Sequence, residues 1–295
     1  MTLAGNPIYA APDPTPPFGQ RPSQASISQS TGSNFVISNK FFNQFVGGPG
    51  GEYLELDSYN NVTITDCDFD SVPDSLGSGR RCIYLVDCTG TIRIERCRAR
   101  SVPQNFIQFN RSHMVGIIQD NRVRGATTNS EDLISFFRSG GVDANNRLLV
   151  YNNRLDGNIP STLTPGYTSS SGTGIICCDS AQDLNTGFID VVNCTCLNTA
   201  QVGIAVAGGN DITLIGNLVK GIQTATSNVG MYIRLGSSLV CQNITARGNR
   251  VFWINSAGSE NDLFSPGTCG TVNNISDNVF GDPSLTIANL TVNLE

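Results

Sequence analysis

The side chains that could do chemistry in this chain are few. Two carboxylate pairs stand close in sequence, Glu55 with Asp57 and Glu131 with Asp132. Acid–base cleavage of an acetal link needs two carboxyl groups about 5–10 Å apart, so both pairs are candidates. Surface carboxylates are common, and neither pair commends itself strongly. The single histidine, His113, lies near Arg111 and reads as a turn residue in a solvated setting. Arginine offers a second chemistry. Residues 91–124 carry seven Arg against Glu95 and Asp120, and residues 51–76 carry seven acids with no Lys or Arg. Arg98, Arg122 and Arg154 share one repeat position, and Arg100 and Arg124 share the position two residues on. Guanidinium forks suit an anionic glycan or a partner protein. The competing reading is a salt-bridge lattice that fixes register. No metal site is expected, because no paired C-x-x-C set is present. The segment "AGGND" at 207–211 lacks the Lys and the helix of a phosphate loop.

These residues are carried on a repeat. Eight times the chain reads apolar, any, apolar, two residues, Asn or Cys, one residue, then usually apolar. Val62-Ile64-Cys67-Phe69, Ile92-Ile94-Cys97-Ala99 and Ile212-Leu214-Asn217-Val219 are examples. The Asn/Cys positions are 67, 97, 121, 153, 194, 217, 249 and 278, with steps of 30, 24, 32, 41, 23, 32 and 29. A period of about 20–50 residues marks a solenoid, propeller or array. Alternation within the unit marks strand rather than helix. A second strand lies upstream in each unit, from Tyr53-Leu54-Glu55-Leu56 to a weak Asp262-Leu263-Phe264. No stretch has helical periodicity long enough for a crossover helix, and leucine-rich repeats and propellers fit worse.

The fold expected is therefore all-β, a single right-handed parallel β-helix of about eight or nine coils over residues 33–281. Buried Asn side chains must find partners, so they should bond in a column along one turn. Register is testable in the sequence itself. Asp66, Asp68 and Asp70 precede Arg96, Arg98 and Arg100 by 30 residues each. Stacked coils lie about 4.8 Å apart, which makes these opposite-charge neighbours. Cys67 should stack on Cys97 by the same offset. Cys241 and Cys269 could also stack, with their disulfide status open.

The outward residues of the upstream strand read Glu55, Tyr84, Gln108, Ser135, Ile176, Ala205 and Tyr232. Only one is acidic and none is basic. Asp57, Asp87, Arg111 and Arg234 lie nearby without an obvious cluster. This face turns apolar at Ile176, Ala205 and Ala207, with Cys178 beside them, the composition of a covered interface. The long insertions fall just before this strand and form a rim along one corner.

The lines "GIAVAGGNDITLIGNLVKG", "CIYLVDCTGTIRIERCRA" and "GMYIRLGSSLVCQNITARGNRV" resemble the pectate-lyase-like right-handed β-helix superfamily. That superfamily includes polysaccharide lyases, glycosidases, epimerases and phage tailspikes. The resemblance covers about residues 33–281 and is nearly silent on function. For a lyase it implies Asp clusters, calcium and a basic catalyst on the upstream-strand face. This sequence departs from that pattern, as its outward residues there are mostly uncharged.

Composition narrows the partners. Net charge is −6 with 14% charged residues, which argues against a nucleic-acid binder. No run of 18 apolar residues suggests a membrane span. The first residues lack a basic stretch followed by an apolar core, so synthesis in the cytoplasm without a signal peptide is expected. Cys67, Cys97, Cys194 and Cys196 fall at inward positions, where free Cys acts as a small apolar residue. Six N-x-S/T matches read as turn Asn followed by strand Thr or Ser. Residues 1–32 are rich in Pro, Ser and Gln and form an extended arm without its own core. Residues 282–295 read as a C-terminal strand, cap or assembly tail.

The function expected is a non-catalytic virion or appendage structural protein, of phage tail, spike or decoration type. It would join itself or other structural proteins through residues 1–32 and the C-terminal strand, and would take surface polysaccharide. The alternative is a polysaccharide lyase, glycoside hydrolase or epimerase on the same fold. No cofactor is expected, and calcium enters only with the lyase alternative.

Overall fold

The computed structural model describes residues 16–44, 51–70, 81–102, 104–126, 131–157, 172–199, 201–222, 229–255, 257–290, 292 and 294. Nearly all regular structure is parallel strand, wound as a parallel β-helix with three faces. Face A stacks the upstream strands, among them Ile83–Val86, Ile107–Asn110, Ile134–Phe137, Thr173–Asp179, Val202–Val206, Val229–Ile233 and Leu263–Phe264. Face B stacks the strands that follow, from Thr89–Glu95 to Cys241–Arg247. Two long strands, Ile27–Ser38 and Leu54–Thr65, run across both faces and start the ladder. Face C is a ten-stranded ladder of short strands, from Ser23–Ala25 to Val279–Phe280.

The repeat sets the register. Ile64 pairs with Ile94, then Ile118, Val150, Val191, Leu214 and Ala246 up face B. All seven are buried, so one apolar column fills the solenoid along its axis. The corner after face B turns on a left-handed residue: Asp66, Arg96, Asp120, Asn152, Asn193, Gly216 and Gly248 all have φ between 51° and 64°. Asn, Asp and Gly tolerate that region best, which is why they crowd this position.

The next residue builds the polar column. Asn217 Oδ1 accepts from Cys194 N at 2.9 Å, and Asn217 Nδ2 donates to Asn249 Oδ1 at 2.8 Å and to Val191 O at 3.0 Å. Asn249 repeats the pattern with Asn278, and Asn121 with Asn153. Cys97 N joins through Asn121 Oδ1 at 2.9 Å. A second column, not foreseen from the sequence, runs at the corner between faces A and B. Cys88 N donates to Ser112 Oγ at 2.9 Å, and Ser112 N to Ser139 Oγ at 3.0 Å.

The chain ends depart from the expected division. The ladder begins at Ser23, inside the segment expected to be an arm through residue 32. Ile27–Ser38 pairs with Leu54–Thr65 over ten residue pairs, because its Ile27, Phe35 and Ile37 continue the inward columns. Residues 1–15 of that arm lie outside the described residues. The tail is not an edge strand. It forms a short helix, Ile287–Leu290, and then runs on with Val292 and Leu294 buried. Leu285 and Leu290 pack on Leu197, Leu218 and Phe252 of face C.

Cys241 and Cys269 form a disulfide, and the other eight cysteines are unpaired and buried. Burial pushes the Cys194 thiol up to about 11 and raises Cys82 and Cys177 further. Such thiols are poor nucleophiles, so these side chains act as packing.

Candidate functional site

Face A carries a groove of about 470 Å³ across its last four rungs. Its middle column follows the ladder from Ile176 to Ala205, Tyr232 and Phe264. Three rung steps span about 14 Å. The column toward the loop-bearing corner reads Thr173, Val202, Val229, and Asn261 beyond. The opposite border is Asp179, Ala207, Arg234, Gly236 and Ser237.

The groove floor is apolar for a local reason. Val202, Ala205 and Val229 form a cluster with Ile176 and Tyr232 that is separate from the axial core. Outward positions on a solvated strand are normally polar, so an apolar set here marks a face meant to be covered. The aromatic end is ordered. The Tyr232 and Phe264 rings stack with centroids 6.0 Å apart and planes 28° apart. The Arg234 guanidinium sits 6.0 Å from the Phe264 ring centre. Asp179 is held by Ser237 Oγ, which donates to Oδ1 at 3.1 Å, with Ser180 Oγ at 3.4 Å. The second carboxylate oxygen takes no hydrogen bond among the described residues.

Asp132 lies one rung beyond Thr173, at the groove's inner end. Thr173 N donates to Asp132 Oδ1 at 3.1 Å. Burial pushes this carboxyl up to about 6, with hydrogen bonds from Thr173 opposing the rise. Its sequence neighbour Glu131 is exposed. Glu55 and Asp57 stand apart from the groove. Glu55 accepts from Ser28 Oγ at 3.0 Å, and Asp57 from Ser58 Oγ at 2.7 Å. Glu55 is four rungs from Ile176 along the same column, about 19 Å. The two acidic pairs of the sequence therefore do not converge.

The arginine columns form as aligned, but their outermost member is not open to a ligand. Arg98 pairs with Asp68 and Arg100 with Asp70 on adjacent rungs. Arg98 donates to both Asp68 oxygens at 2.8 Å and to Leu294 O at 2.7 Å. It is 3% exposed, because the C-terminal tail and Phe18 cover it. Arg122, Arg124 and Arg154 stay exposed beside it. Arg96 forks onto Asp66 at 2.9 and 2.6 Å, completing the trio of equal offsets.

The interface set divides. Ile176, Ala205 and Ala207 line the groove. Cys178 does not. The ladder shifts between Ser135 and Phe137, Cys178 takes φ 58°, and its thiol turns into the core toward Ser139 O at 3.5 Å. This bulge breaks strict alternation and brings Asp179 to the groove border. Asp179, Gln201 and Phe264 were not expected from the sequence as site residues. The one signal was two aromatic residues, Tyr232 and Phe264, at the same repeat position. Compared with known proteins, the chain matches no family model, no curated protein and no solved structure.

Proposed function

We propose that the chain is a structural β-helix of a virion or extracellular appendage, built on the pectate-lyase-like plan, that binds a surface glycan without cleaving it. The observation that carries the binding reading is the groove on face A. It offers an apolar floor, a stacked Tyr232–Phe264 platform and the polar groups of Asp179, Gln201 and Arg234 at its border. Sugars have one apolar face and a ring of hydroxyls, and such a groove meets both. Backbone ladders on three faces, with polar columns at two corners, support the structural reading, because a stiff rod suits a spike or fibre. Its partners in this reading are copies of itself or other structural proteins. The test is binding of a panel of acidic and neutral polysaccharides, with reducing ends and unsaturated products measured in parallel. Binding without product supports the proposal.

One observation favours a second reading. Asp132 holds a carboxyl raised to about 6 beside the groove, a value suited to general acid chemistry. In that reading the chain is a polysaccharide lyase, hydrolase or epimerase, with Asp132 as the acidic group. Calcium enters only there. Product release that Asp132→Asn abolishes would favour it.

A further inference from the structure

We infer that the face A groove selects an acetamido sugar. This rests on the glycan reading above and deepens it. The argument starts from the floor. Val202, Ala205 and Val229 are 9%, 2% and 6% exposed and pack together with Ile176 and Tyr232, outside the axial core. A hydroxyl laid on that floor loses water and gains no partner, which costs free energy. A methyl group laid there loses nothing and buries apolar area. The ligand's contact with the floor is therefore a methyl group rather than a hydroxyl.

The polar groups beside the floor say what bears the methyl. Gln201 precedes Val202 and lines the same groove. Its backbone is engaged, N donating to Gly172 O at 3.1 Å and O accepting from Val229 N at 3.1 Å. Its side-chain amide makes no hydrogen bond among the described residues. A primary amide has donors and an acceptor together, so it can pair with both the carbonyl and the N–H of an acetamido group. A deoxy sugar would supply the methyl but has no amide to match both the donors and the acceptor of the half-exposed Gln201 side chain. The sugar ring then extends toward Tyr232 and Phe264, whose stacked rings continue the same column. Arg234, which stands over Phe264, and Asp179 both lie on the border opposite Gln201, so hydroxyls on that side meet a cation and a carboxylate. The groove length of about 14 Å takes a short oligosaccharide lying along the solenoid axis.

The experiment compares ligands differing only in that group: chitotriose against cellotriose, N-acetylgalactosamine against galactose, and N-acetylmannosamine against mannose. Binding is read by calorimetry and by saturation-transfer NMR. At least one acetamido member is expected to bind about tenfold or more tighter than its hydroxyl partner, the scale of one well-placed group in an apolar pocket. Saturation transfer should be strongest at the acetyl methyl. Ala205→Phe fills the floor from an outward position and should remove the preference while far-UV circular dichroism is unchanged. Should that variant fail to fold, Gln201→Leu serves, and should lower the preference while keeping binding to the aromatic platform. Equal affinity within every pair, with glycans still bound, overturns the acetamido inference and leaves the glycan reading standing. If no sugar in this set or in the polysaccharide panel binds, both fall. A groove that instead proves to be closed by a second copy, seen as a dimer that Ala205→Phe dissociates, also overturns both.

Discussion

Asp68→Ala removes the centre of the most buried charge cluster in the protein's described residues. Asp68 is fully buried and Arg98 is 3% exposed. Two bonds of 2.8 Å join them, Gly19 N donates to Asp68 Oδ2 at 3.0 Å, and Arg21 Nε stands 3.3 Å from Oδ1. The single change strands two guanidinium groups that water cannot reach. Breaking a buried pair by removing one partner costs about 3–5 kcal/mol. At roughly 2–4 °C per kcal/mol for a chain of this order of size, the melting temperature should fall by about 6–20 °C. The effect should not stay local, because Arg98 also holds Leu294 O at 2.7 Å. If Arg98 turns outward to find water, the tail loses its anchor. Urea unfolding followed by circular dichroism measures the stability, and hydrogen exchange of residues 285–294 measures the release. The double change Asp68→Leu with Arg98→Met should regain much of the loss, since apolar replacement of a buried pair is often neutral. A loss below about 1 kcal/mol for Asp68→Ala is the range of an exposed pair. It would refute the claim that the chain's two ends seal this site. Unchanged exchange in the tail would refute the coupling.

Three further outcomes are expected. Asn217→Ala leaves Cys194 N and Val191 O without side-chain partners, which should cost about 2–4 kcal/mol in denaturant unfolding. Asp132→Asn should show a pH signature. Burial lifts this carboxyl to about 6 in the folded chain, against about 4 unfolded. The folded state therefore holds the proton more tightly. The stabilisation is present below about pH 4 and is lost as pH rises through 6, so the variant should match wild type at acid pH and melt higher above neutrality. A constant difference between melting curves at acid and neutral pH would contradict this. Deleting residues 283–295 should keep the β-rich circular dichroism but expose Leu197, Leu218 and Phe252, read as new dye binding and self-association.

Local features of the chain were legible, and long-range ones were not. The inward alternation and the Asn/Cys column follow directly from one short motif, so the faces and their register could be read without coordinates. Asp66, Asp68 and Asp70 met Arg96, Arg98 and Arg100 because that coil has the same length at every position between them. The column of Cys88, Ser112 and Ser139 was missed because its signature is slight. Each follows a residue with φ near 50°, but these are Asp87, Arg111 and Arg138, and arginine does not announce a left-handed turn. The burial of Arg98 was not legible at all, since the covering tail is 196 residues away in sequence. The groove was half legible. Its apolar floor was seen, but the bulge at Cys178 moves one residue inward and the next to the border, which alternation cannot foretell.

The three faces of one repeat have different fates, and this is what points to face A. Face C is covered in part by the chain's own ends, with Phe18 over Arg98 and Arg100 and the tail over Leu197, Leu218 and Phe252, and it presents Arg122, Arg124 and Arg154 without an apolar floor. Face B is tied by ion pairs across its rungs, Arg147 reaching Asp190 and Asp211 at 2.8 Å each. Those charges are already matched and offer a ligand little. Face A keeps polar outward residues on its early rungs, such as Glu55, Gln108 and Ser135, and then changes character at Ile176. From that rung on, small and aliphatic side chains lower the floor while Tyr232 and Phe264 raise one end. A surface carried on paired strands would need little ordering to bind a ligand. The repeat makes the rod, and the departure from the repeat over these four rungs makes the groove.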